Sequence, residues 1–150
     1  NSGSSGNPPP PPAPSSTIAQ QLTWYSNQLD TALALATGAK TNAEQARSTF
    51  RAILDGAPCA ETYAAEILGN IETLDGMLVT LNNRIQEIQG LLSAVSRLQQ
   101  NPPVTQAQLN AIGSTANITA LVTRSREANS AAATVLNAAN ELFNSPECTL

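Results

Sequence analysis

The sequence predicts an all-α protein, an elongated antiparallel up-down-up three-helix bundle preceded by an extended proline-rich tail. Apolar residues recur at alternating steps of four and three along most of the chain, which is the period of a helix with one buried face. Only 3% of the 150 residues are aromatic, which suits an alanine-rich helical protein better than a sheet. Proline-containing segments divide the periodic sequence into three stretches of similar length.

The middle stretch predicts a helix over about 58–100 that organises the rest of the chain. Its apolar positions form one unbroken stripe, and most of them hold large aliphatic residues. The stripe consists of Ala60, Ala64, Ile67, Ile71, Leu74, Leu78, Leu81, Ile85, Ile88, Leu92 and Val95. The corresponding positions of the flanking stretches are mostly alanine, so we expect this helix to supply most of the bulky core.

The flanking stretches predict helices over about 17–55 and 105–144. In the first, the apolar period passes through Gly38 unshifted, which indicates one continuous helix. The second begins after two prolines with a capping box made by Thr105 and Gln108. Short connections make consecutive helices antiparallel, so residues 17–150 are predicted to form a single slender bundle. We expect its aromatic residues Phe50, Tyr63 and Phe143 to fill the core.

Residues 1–16 form a tail rich in Gly, Ser and Pro. The run of prolines fixes an extended polyproline II conformation, which leaves three interpretations open: a spacer, a segment that docks in a groove, or a hydroxylated and glycosylated stalk. We expect docking, most simply on a neighbouring copy, with two adjacent aromatic residues as the receiving surface. The residues assigned to this site are Pro8, Pro9, Pro10, Pro11, Pro12, Pro14, Trp24 and Tyr25.

The two cysteines provide a test of the predicted topology. Cys59 opens the second predicted helix and Cys148 follows the third, so an antiparallel bundle places both at the same end. We therefore predict a disulfide, which would add about 4 kcal/mol of stability in the chain-entropy account. Two free thiols and an intermolecular bond are the alternatives. A disulfide implies an oxidising compartment.

Charge and hydropathy argue against some partners and locations for the protein. Only 12% of the residues are charged and the net charge is −4, so no basic surface is available for nucleic acid or anionic lipid. No apolar run is long enough to span a membrane. A surface of hydroxyl and amide groups is typical of secreted or wall-associated proteins, and Asn117-Ile118-Thr119 is an N-glycosylation sequon that agrees with secretion.

Residue chemistry argues against catalysis. The chain has no histidine, the most common general base and metal ligand, and Glu72 with Asp75 lie outside the apolar stripe as solvated charges. We expect no enzyme activity, no cofactor and no metal. The leading hypothesis is a secreted structural or interaction module that self-assembles into a filament or matrix, with copies of itself, another extracellular protein or glycans as partners. The alternative is a small carrier or surface-active protein that binds lipid or hydrophobic interfaces.

Overall fold

A computed structural model describes residues 10–12 and 16–149, and almost all of these residues are helical. The helices are α1 (Ile18–Gly56), α2 (Ala60–Gln100), α3 (Gln106–Ile112) and α4 (Thr115–Phe143), followed by a short 3-10 helix (Pro146–Cys148). No strand occurs among the described residues. The helices pack against one another through apolar faces, which confirms the predicted helical bundle.

The first two helices lie close to their predicted positions. Thr17 caps α1, since its Oγ1 accepts a hydrogen bond from the backbone N–H of Gln20 at 3.1 Å and its own N–H donates to Gln20 Oε1 at 2.9 Å. The helix continues without interruption through Gly38, as the unshifted period predicts. It ends at Gly56, and α2 starts shortly after Pro58.

The prediction of one continuous third helix is wrong, because the structure divides this stretch into α3 and α4. Thr105 and Gln108 form the expected capping box at the start of α3. Gly113 then has φ of 152°, a backbone conformation that side chains strongly disfavour, and this ends α3. The next residue starts a new helix, since Ser114 Oγ accepts a hydrogen bond from the N–H of Asn117 at 3.1 Å.

Residue contacts group the chain into two compact units. Unit 1 comprises Asn1–Ala36 and Arg84–Glu127, and unit 2 comprises Thr37–Asn83 and Ala128–Leu150. Each unit has its own core, in which α2 contributes large aliphatic side chains. The buried α2 residues are Ile67, Ile71, Leu74 and Leu81 in unit 2 and Ile88 and Val95 in unit 1.

Alanines of α1 face this aliphatic surface. They are completely buried at successive positions of the predicted stripe, and small side chains allow helices to approach closely. These alanines are Ala32 and Ala36 in unit 1 and Ala39, Ala43 and Ala46 in unit 2. In unit 2, α2 supplies most of the large aliphatic core residues, as the sequence predicts. In unit 1 the prediction is wrong, because α1, α3 and α4 supply most of the large buried side chains and α2 supplies only Ile88 and Val95.

One aromatic residue departs from the expected core. Phe50 is buried and Tyr63 is half-buried, but Phe143 remains 43% exposed. Phe143 is the last residue of α4, and it lies over the flank of α1 beside Ser48 and Ala52. The core at this end of unit 2 is occupied instead by the two cysteines.

We expect Leu74→Ala to lower the free energy of unfolding by about 2–5 kcal/mol, because Leu74 is completely buried in the core of unit 2. Val79→Ala on the same helix is the matched control, since Val79 is 62% exposed and its truncation leaves no cavity. Urea denaturation followed by circular dichroism measures both effects. Equal effects at the two positions would contradict the assigned core.

Candidate interaction site

Part of the proline-rich tail lies against a helix of unit 1. Pro10, Pro11 and Pro12 belong to no helix or strand, and Pro12 is half-buried. Pro11 lines a surface groove together with residues of α4. Pro8, Pro9 and Pro14 lie outside the described residues.

The groove follows the N-terminal part of α4 and has small side chains along its length. Residues four apart lie above one another on a helix, so the lining residues form parallel rows of Thr and Ala, with two charged residues toward the C-terminal end. The lining residues are Thr115, Ala116, Thr119, Ala120, Thr123, Arg124 and Glu127. Their methyl groups make the floor of the groove apolar, and no bulky side chain fills it.

The break between α3 and α4 positions this groove. Because α4 starts at Thr115, the first row of the groove begins at the first residue of the helix. The phenolic O–H of Tyr25 donates a hydrogen bond to the carbonyl oxygen of Gly113 at 2.6 Å, which ties the break to α1. A phenol is protonated and able to donate at neutral pH, and burial raises the pKa of Tyr25 further above its ordinary value of 10.0.

The two aromatic residues predicted to receive the tail are core residues of unit 1. Their rings pack edge to face with centroids 5.4 Å apart. Trp24 is 9% exposed and Tyr25 is 2% exposed, so little of either ring is open to a docked segment. Neither residue lines the groove that contains Pro11. Docking of the tail on this aromatic pair stays a prediction.

Asn117, the acceptor of the sequon, lies in the first turn of α4 and is exposed. Its backbone N–H is held by the capping bond to Ser114, while the side chain points away from the core. Asn117 does not line the α4 groove but a separate depression with Gly113, Ile118 and Leu121. Glycosylation itself stays a prediction.

The predicted disulfide is present in unit 2. Cys59 and Cys148 are bonded, with Cα atoms 4.7 Å apart and a sequence separation of 89 residues. Both are buried. Beside the bond, the Tyr63 hydroxyl donates to Glu147 Oε1 at 2.9 Å, so the segment after α4 is attached to α2 by a covalent bond and a hydrogen bond.

The acidic side chains of the described residues lie apart from one another or at the surface. Within 10–12 and 16–149, no three His, Cys, Asp or Glu side chains are grouped as a metal site. Asp75 pairs with Arg47 at the surface, and Glu72 is exposed. Among the same residues, no helix has the length and apolarity needed to cross a membrane.

Comparisons with protein-family models, with curated proteins and with solved structures find no match to this chain. Function is therefore inferred from the groove, the tail and the chemistry of the surface.

We expect Gly113→Ala to destabilise the protein by about 1–3 kcal/mol, because an alanine at φ of 152° is strained. Gly76→Ala is the control, for which we expect the opposite change in stability. Gly76 lies within α2 with nothing within 4 Å of an added Cβ, so alanine should stabilise the helix by about 0.5–1 kcal/mol. Thermal unfolding of both variants measures the two effects, and a stabilising Gly113→Ala would contradict the described break.

We expect Tyr63 to ionise above its ordinary pKa of 10.0, because its hydroxyl donates to the Glu147 carboxylate and a tyrosinate would be repelled by it. The hydrogen bond therefore contributes stability below pH 10 and loses it as the pH rises through the raised pKa. Ultraviolet absorbance titration of the Tyr25→Phe protein reports Tyr63 alone. Glu147→Gln should lower the pKa toward normal, whereas Glu72→Gln should leave it unchanged.

Proposed function

We propose that this chain is a secreted, non-enzymatic structural or interaction module that assembles with copies of itself through its proline-rich tail. The observation that carries this proposal is that Pro11 lines the groove on α4 together with the small side chains of that helix. A tail that served only as a spacer would need no such surface. Polyproline II segments bind at low entropic cost because their conformation exists before binding.

The disulfide and the composition support an extracellular location. Disulfides persist mainly in oxidising compartments. The surface is made largely of hydroxyl and amide side chains, with only 12% charged residues in the chain. Such a surface has few charges to repel a second copy, which favours self-association.

Contacts within unit 1 support an up-down-up arrangement of the helices. Gln106 Nε2 donates to Gln21 Oε1 at 2.9 Å, and the Tyr25 hydroxyl contacts Gly113. Both contacts join residues separated by similar distances in sequence, 85 and 88 residues. A constant separation of this kind is expected where the first and third segments of a bundle run in the same direction.

A second groove in unit 1 favours the alternative function, a carrier of hydrophobic ligands. It has a volume of about 430 Å³ and is lined mainly by apolar side chains of α2 and α3, with one arginine at its edge. The lining residues are Leu91, Ala94, Arg97, Leu98, Gln108, Ala111 and Ile112. A carrier would remain monomeric and would bind a hydrophobic dye, so the two functions differ in a simple measurement.

Replacing Pro8–Pro12 and Pro14 by serine should abolish concentration-dependent oligomers, because it removes the polyproline II conformation at constant length. Helix content should not change, since the first helix begins at Ile18, after the replaced residues. Sedimentation velocity over a range of concentrations measures assembly, and circular dichroism checks the fold. The control protein has alanine in place of Ser2, Ser4 and Ser5, and its oligomers should be unchanged. Undiminished oligomers in the serine-tail protein would refute tail-mediated assembly.

A further inference from the structure

We propose that the α4 groove from Thr115 to Glu127 is a receptor for proline-rich segments, occupied by the tail of the same chain and, on assembly, by the tail of a second copy. This inference rests on the proposed function and names the surface that the tail recognises. Pro11 of the same chain lines this groove beside α4. The same eight-residue sequence, Asn7–Pro14, is carried by every copy of the chain.

The length of the groove matches the length of the proline segment. A helix rises about 1.5 Å per residue, so the groove from Thr115 to Glu127 is about 18 Å long. A polyproline II segment rises about 3.1 Å per residue, so about six of its residues fit along this distance. The uninterrupted run Pro8–Pro12 is of this size. A straight rod and a straight row of small side chains can therefore remain in contact along their whole length.

The groove also contains a hydroxyl group suited to this occupant. Thr119 Oγ1 is buried and has no hydrogen-bond partner within the described part of the chain. Other helical threonines donate to the carbonyl four residues earlier, as Thr23 and Thr134 do. A polyproline II segment has no internal hydrogen bonds, so its carbonyl oxygens are free to accept. The Thr119 hydroxyl is thus a donor available to a proline carbonyl.

The charge balance of the tail and the groove favours a neutral partner. The tail from Asn1 to Thr17 carries no charged side chain. The groove has one arginine and one glutamate, Arg124 and Glu127, which together add no net charge. Binding therefore depends on apolar contact and hydrogen bonding and should change little with salt concentration. This distinguishes a proline-rich segment from an acidic or basic peptide.

A tail on the same chain competes with other proline-rich segments for the groove. Few residues separate the proline segment from α1, and a short link of this kind gives an effective concentration in the millimolar range. A free segment at lower concentration therefore binds more weakly to a chain that carries its own tail. When two chains exchange tails, each fills the groove of the next, and a contact of this head-to-tail kind can propagate.

The test uses a fluorescent peptide with the sequence of residues 7–14 and the full-length protein with serine in place of Pro8–Pro12 and Pro14. The peptide should bind this serine-tail protein about tenfold more tightly than the unmodified protein, whose own tail competes. Fluorescence anisotropy measures the affinity at two salt concentrations. A peptide of the same length with serine at the proline positions should not bind.

Variants of the groove locate the binding surface. In the serine-tail protein, Ala120→Arg should weaken peptide binding at least about tenfold, because the long side chain fills the groove. Ala131→Arg, at an exposed position further along α4, should leave it unchanged. Thr119→Val removes the hydroxyl at nearly constant shape and should weaken binding. If Ala120→Arg loses helix content, Thr123→Arg at an exposed position of the same groove replaces it.

The assignment of the groove would be overturned by either of two results. One is that the peptide binds equally well with and without Ala120→Arg or its replacement. The other is that the peptide does not bind the serine-tail protein. Oligomer formation, measured for Ala120→Arg with the unmodified tail and for the serine-tail protein, separates this failure from failure of the proposed function. Oligomers that persist with Ala120→Arg but disappear with the serine tail mean that the tail docks elsewhere, with Trp24 and Tyr25 as the next surface. Oligomers that persist with the serine tail refute the proposed function and leave the groove to be judged by peptide binding.

Discussion

The packing of aliphatic side chains of α2 against alanines of α1 is the interaction on which the rest of the structure depends. Alanine loses no side-chain entropy on burial, and its small size lets the larger partners fill the space between helices. Within the described residues the ion pair between Arg47 and Asp75 lies at the surface, where such pairs contribute little. The exposed faces are then free to carry polar residues and grooves.

Much of the fold could be predicted because the packing follows a period that is visible in the sequence. α1 and α2 keep one apolar stripe from end to end, and their observed bounds lie close to the predicted ones. The break at Gly113 was missed for a physical reason. The apolar period continues in phase through Ala111, Ser114 and Ile118, so the stripe itself contains no sign of an interruption. The backbone conformation of one glycine decides the outcome, and periodicity does not report it.

Less of the site could be predicted. The proline run indicates a rigid segment that needs a surface, but the sequence favours aromatic residues as that surface because they are flat and apolar. Trp24 and Tyr25 are instead the largest side chains of the unit 1 core. The groove beside Pro11 is made of Thr and Ala, which have no distinctive pattern on an exposed helix face. The capping motif Ser114 with Asn117 was the available signal, since it marks where α4 begins.

The disulfide determines how the protein carries mechanical force. Tension applied beyond Cys148 passes through the sulfur atoms directly to Cys59, the residue that precedes α2. Residues 60–147, which lie between the two cysteines, are then excluded from the path of the load. A pull on the C-terminus therefore cannot peel α4 from its neighbours in unit 2 before a covalent bond breaks, and the extensible part of the chain is confined to the residues that precede Cys59.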